Sequence, residues 1–88
     1  MNRYLIESEH TEEDCLHVLD LFVYHGFVNH FDWGCYDGVH KGYAIIEAES
    51  KDHALMSVPP LIKHKAHATL LSKFTPEIVK SFHEEEKA

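Results

Sequence analysis

This sequence predicts an α+β fold: one antiparallel sheet of four strands, in the chain order βαββαβ, with both core helices on the same face. Three observations carry that expectation. Residues 3–9 and 41–48 alternate their side chains with the two-residue period of a strand. Residues 15–24 place apolar side chains at helical spacing, between an acidic first turn and a glycine. Asp37-Gly38 sits between two strand-like segments, where such a pair marks a hairpin.

The elements follow in order. Arg3 to Glu9 reads as the first strand. Thr11 then serves as a helix N-cap, Glu12, Glu13 and Asp14 fill the first turn, and Asp14 completes an approximate capping box. Cys15, Leu19 and Phe22, flanked by Leu16, Val18 and Val23, form the apolar stripe of helix one, and Gly26 ends it. Residues 27–36 hold Phe27, Val28, Phe31, Trp33 and Tyr36, a composition that suits a strand. Lys41 to Ala48 is the returning strand. Ser50 caps a second helix from Lys51 to about Ser57, and Pro59-Pro60 stops it. Residues 66–74 read as the last strand. Thr75-Pro76-Glu77 opens a short C-terminal helix whose Ile78, Val79 and Phe82 pack on the body, and Glu84 to Ala88 form a solvated tail.

That order is the split βαβ, ferredoxin-like pattern with one appendage. Right-handed crossovers then give the strand order 4-1-3-2. The chain is expected to be a single domain, 1–88, with its core in 3–75 and a C-terminal helix and tail in 76–88.

Composition narrows the partners. The formal net charge is −7, which makes nucleic acid and anionic membranes poor partners. The opening Met1 to Glu7 lacks the apolar run of a secretory leader, and no stretch approaches the ~20 apolar residues of a membrane span. Cys15 and Cys35 are too few for a disulfide scaffold, so the expectation is a cytoplasmic protein with reduced thiols. There is no glycine-rich phosphate loop, serine elbow or HExxH motif, and no organic cofactor is expected. Nine histidines remain, scattered along the chain. Histidine is the commonest metal ligand and titrates near neutral pH.

Strand alternation assigns the sheet faces. Ala44 and Ala48 let helices approach closely, so they belong to the covered face. The bare face then carries Leu5, Tyr43, Ile45 and Leu71, an apolar patch that predicts a homodimer built by packing two sheets face to face. The phrases Tyr4-Leu5-Ile6-Glu7 and Gly42-Tyr43-Ala44-Ile45-Ile46-Glu47-Ala48-Glu49, with the element order, resemble the dimeric α+β barrel superfamily over about residues 3–75. The resemblance is closest to small bacterial members of unknown function and to small nickel-binding members. It implies the barrel dimer and transfers no functional residue.

A hairpin centred on Gly38-Val39 would pair Trp33 with Ala44, Phe31 with Ile46, Asp32 with Ile45 and His30 with Glu47. His30, Glu47, Glu7 and His67 would then share one end of the bare face. Two imidazoles and two carboxylates suit a divalent transition metal such as Ni, Zn, Cu or Fe. The same groups would suit acid–base chemistry on a small organic ligand, as in a barrel isomerase or monooxygenase. A third reading is a non-catalytic interaction or stress module whose histidines only buffer charge. Cys15, inside the apolar stripe, reads as a buried inert thiol, and His10 as a loop or cap residue. Cys35 and His40 flank the hairpin turn, which this reading puts at the opposite end of the sheet from His10; they offer two ligand types without a site. His64 and His67 point to opposite faces in a strand. His17, His25, His53 and His83 read as helix or tail surface.

Overall fold

The computed structural model describes residues 1–87, with side chains as far as Glu85. It is an α+β structure with one four-stranded antiparallel sheet. The strands are β1 (Asn2–Glu9), β2 (Asp32–Trp33), β3 (Lys41–Ala48) and β4 (Ala66–Leu70). The helices are α1 (Cys15–Tyr24), α2 (Lys51–Ala54) and α3 (Pro76–Lys87). The sheet order is β2-β3-β1-β4, which is 4-1-3-2 when read from the other edge.

The alternation expected in β1 and β3 is present. Tyr4, Ile6 and Ser8 on β1, with Ala44 and Ala48 on β3, are buried on the covered face. Val18 and Phe22 of α1 and Ala54 and Val58 close the core against them. Phe22 sits at its centre, edge-to-face with Phe31 at 5.0 Å and with Trp33 at 4.8 Å. Gly26 ends α1 in the left-handed region at φ 77°. The Phe27 N–H reaches back to the Phe22 carbonyl at 2.8 Å and Gly26 N–H to Val23 at 3.0 Å, which is a Schellman closure. Ser50 caps α2 by accepting from the His53 N–H at 3.1 Å.

Several expectations change. α1 begins at Cys15 with Asp14 at its N-cap position and no side-chain cap, so Thr11 to Asp14 form a turn ahead of the helix and not its first turn. α2 is shorter than expected, ending at Ala54 with a 3-10 turn over Leu55–Ser57. The second strand is only Asp32–Trp33, not 27–36, because short 3-10 turns at Val28–His30 and Cys35–Asp37 take up the rest. Those turns satisfy their own backbone locally: His30 N–H donates to Phe27, and Asp37 N–H to Gly34. The Trp33 indole N–H donates to the Val28 carbonyl at 3.1 Å and pins the segment. The hairpin register also moves by two residues. Trp33 pairs with Gly42 and Asp32 with Tyr43, in place of Ala44 and Ile45. The reason is steric: the Trp33 ring lies on Gly42, so close that a Cβ there would meet its Cζ3 at 2.7 Å. A two-residue move keeps every side chain on its expected face. Finally, β4 stops at Leu70, and α3 does not lie on the body. Its Ile78, Val79 and Phe82 stay 40%, 42% and 45% exposed, with Phe82 meeting only Phe74 among the described ring contacts. Glu84 and Glu85 continue α3, while Ala88, the last residue of the expected tail, lies outside the described residues.

The contact between Trp33 and Gly42 gives a direct test. Gly42→Ala forces a methyl into a ring held by its own hydrogen bond. It should cost about 1–3 kcal/mol, the usual range for overpacking. Urea denaturation should show a lower midpoint with an unchanged slope.

Candidate metal centre

The site is built from the register of the two central strands. β1 and β3 run antiparallel, with Glu9 opposite Lys41. One residue further out, the His10 N–H donates to the His40 carbonyl at 3.1 Å. This bond sets the two imidazoles side by side, ring centres 5.7 Å apart and edge to face. α1 carries the chain back along the sheet, so β2 runs parallel to β1. The C-terminal end of β2 therefore arrives beside the C-terminal end of β1. Cys35 follows there, in the loop that Gly34 and Lys41 close through a 3.0 Å backbone bond. Cys15 is the first residue of α1, at the open end of the stripe that continues through Val18 and Phe22. Asp14 N–H donates to Thr11 Oγ1 at 3.2 Å, and this turn brings the helix start over the sheet end.

The four side chains meet. One donor atom from each of His10, Cys15, Cys35 and His40 lies within 4.8 Å of all the others. Cys15 Sγ is 3.5 Å from Cys35 Sγ, and Cys35 Sγ is 3.6 Å from His10 Nε2. A tetrahedral zinc ion with bonds of about 2.3 Å to sulfur and 2.0–2.1 Å to nitrogen needs about 3.8 Å between sulfurs and about 3.6 Å from sulfur to nitrogen. The two separations match that arrangement with little adjustment. His10 is buried, and the Nδ1 atoms of His10 and His40 are both enclosed without a hydrogen-bond partner. A buried ring nitrogen with no partner is costly in a stable core.

Electrostatics agree. Burial pushes His10 below its ordinary value of 6.5, His40 beside it lowers it further, and Asp14 opposes the change. Burial pushes the Cys35 thiol up, and the adjoining Cys15 adds to that. Neutral imidazole is the metal-binding form, so His10 is held ready to bind. The raised thiol comes first from burial and then from the neighbouring sulfur, and a bound cation would act in the opposite direction.

The residues singled out from the sequence lie elsewhere. Glu47 is exposed and opposite Arg3, at the other end of β3 from the cluster. His30 is in the 3-10 turn before β2, exposed and stacked on Phe27, so it has no cross-strand place opposite Glu47. Glu7 and His67 are true cross-strand neighbours on the bare face, but Glu7 is engaged by Lys41 at 3.5 Å. Among the described residues, the metal-competent group is instead the set read as an inert thiol, a cap residue and a far turn. Cys35 and His40 are not at the opposite end from His10. A helix between two parallel strands brings both C-terminal strand ends to one side, so the two halves of the site meet there. The signal was present in the spacing: His10 precedes Cys15 by five positions and Cys35 precedes His40 by five.

Two grooves flank the cluster. One, of about 570 Å³, is lined by His10 and His40 together with His64, His67, Lys41 and Lys65. The other, of about 320 Å³, is largely apolar and is lined by Cys15, Cys35, Leu19, Trp33 and Tyr36. Comparison with protein-family models, with curated proteins and with solved structures finds no match to this chain. Among the described residues, no helix is long and apolar enough to cross a membrane.

The depressed His10 makes the metal-free fold sensitive to acid. Below pH 6.5 the unfolded chain takes up a proton at this ring that the folded chain refuses. Stability should therefore fall as the pH drops through 6.5 and level off below the folded value. Denaturation midpoints measured across this range should decline less steeply in His10→Gln than in the unaltered chain.

Proposed function

We propose that this chain is a small metal-binding protein that takes one divalent ion of the zinc class on Cys15, Cys35, His10 and His40. The convergence of four donors from three separate segments is the observation that carries this reading. Two sulfurs and two imidazoles form the donor set of tetrahedral zinc or iron sites. A set without carboxylates disfavours magnesium and calcium, which take oxygen ligands. Of the metals the sequence suggested, nickel, zinc, copper and iron, zinc suits these four donors first. Four protein ligands make a closed site, which favours a binding and stabilising role over catalysis. The ion would tie together the end of β1, the start of α1 and the loop between β2 and β3.

The wider reading is a ferredoxin-like subunit of a dimeric α+β barrel. It is supported by the sheet face away from the helices, where Ile45 is 59% exposed and Leu5 and Tyr43 are half-buried. A second copy packed there would cover them. A cytoplasmic location fits as well, because thiol ligands must stay reduced.

Elemental analysis of tag-free protein, after zinc loading and removal of excess, should find one zinc per chain. Cys35→Ser and His10→Gln should each weaken zinc binding by more than the roughly 10–100-fold that loss of an outer-shell partner costs. His30→Ala and Glu47→Ala should leave it unchanged. Equal zinc uptake by the Cys15→Ser/Cys35→Ser double variant would overturn the reading. For the dimer, light scattering should give twice the 10.2 kDa chain mass. Ile45→Lys should halve that mass while the circular dichroism spectrum stays the same.

A further inference from the structure

We propose that Cys15 and Cys35 form a dithiol that a hydroperoxide converts to an intramolecular disulfide, and that this oxidation dismantles the metal centre. The second half rests on the metal reading above; the dithiol itself stands on separate geometry.

The two sulfurs are already in contact at 3.5 Å. A disulfide needs about 2.05 Å, so they must close by about 1.5 Å. Neither cysteine is locked in a strand. Cys15 opens a helix, and Cys35 sits in the loop between β2 and β3. They are the only cysteines in the chain, so no internal alternative competes. Both thiols are partly exposed and line the apolar groove with Leu19, Trp33 and Tyr36. Through that opening a small neutral oxidant reaches sulfur without passing the histidines.

The chemistry balances with hydrogen peroxide as the oxidant. One sulfur, as thiolate, attacks a peroxide oxygen; the O–O bond breaks, a sulfenic acid forms, and the departing hydroxide takes a proton to become water. The other sulfur attacks the sulfenic sulfur, the S–O bond breaks, and the leaving hydroxide takes the second thiol proton. Two thiols have lost two electrons and two protons, and one peroxide has become two waters. With both sulfurs joined, only His10 and His40 remain as donors.

The test treats zinc-loaded and metal-free protein in parallel with one equivalent of hydrogen peroxide. Intact mass, non-reducing peptide mapping and a zinc-indicator dye give the readout. The expected result is a loss of two hydrogens in mass and a peptide linking Cys15 to Cys35. Zinc release should keep pace with that link, and dithiothreitol should reverse both. Cys15→Ser and Cys35→Ser, checked for folding by circular dichroism, should each lose the reversible response. Sulfinic or intermolecular products in place of the internal link would overturn the proposal, as would zinc retained after the link has formed. The two readings fail separately. Zinc uptake without the link retires the dithiol alone. The link in metal-free protein, with no zinc uptake by the reduced chain, retires the metal centre and leaves the dithiol standing.

Discussion

The structure depends on the antiparallel pairing of β1 with β3. That pairing runs the full length of both strands, from Asn2 opposite Ala48 to Glu9 opposite Lys41. It places Tyr4, Ile6 and Ser8 beside Ala44 and Ala48 on the covered face, where small alanines let the helices sit close. It also ends with His10 N–H on the His40 carbonyl, so strand pairing itself delivers the first two donors. A slip of one residue would turn the core face toward solvent, so the hydrophobic pattern that stabilises the fold also holds the two histidines in register.

The cysteines come from the other consequence of that sheet. Because α1 returns the chain along the covered face, the loop between β2 and β3 lies over the same end as the start of α1. Phe22 anchors α1 against Phe31 and Trp33, and Trp33 in turn lies on Gly42. These contacts fix where β2 ends and thus where Cys35 begins. Core packing and site geometry are therefore coupled: a change at Gly42 or Phe22 acts on the sulfur pair without touching it.

Much of this was legible in the residues. Period-two alternation located β1 and β3, and a capping serine located α2. Glycine at a left-handed helix end located the stop of α1. The second strand was not legible, because aromatic content argues equally for a strand and for a tightly packed turn, and Trp33 settled the matter through its own hydrogen bond to Val28. α3 was expected on the body, but its apolar side chains find no place on a covered face already filled by α1 and the segment after β3. The site was half legible. Both His–Cys spacings are present in the sequence, but Cys15 lies in an apolar stripe that argues for core, His10 lies where a cap is expected, and the expected hairpin end is opposite His10. His30 and Glu47 looked stronger because a hypothetical register paired them; two residues of shift and a turn at Val28–His30 removed that pairing.

In the proposed centre two thiolates and two imidazoles surround one ion. X-ray absorption at the zinc edge of the loaded, tag-free protein tests it most directly. The expected spectrum shows two sulfur scatterers at about 2.3 Å and two nitrogen scatterers at about 2.0–2.1 Å, with the multiple-scattering pattern of imidazole. A shell of oxygen and nitrogen alone, without sulfur, would contradict it.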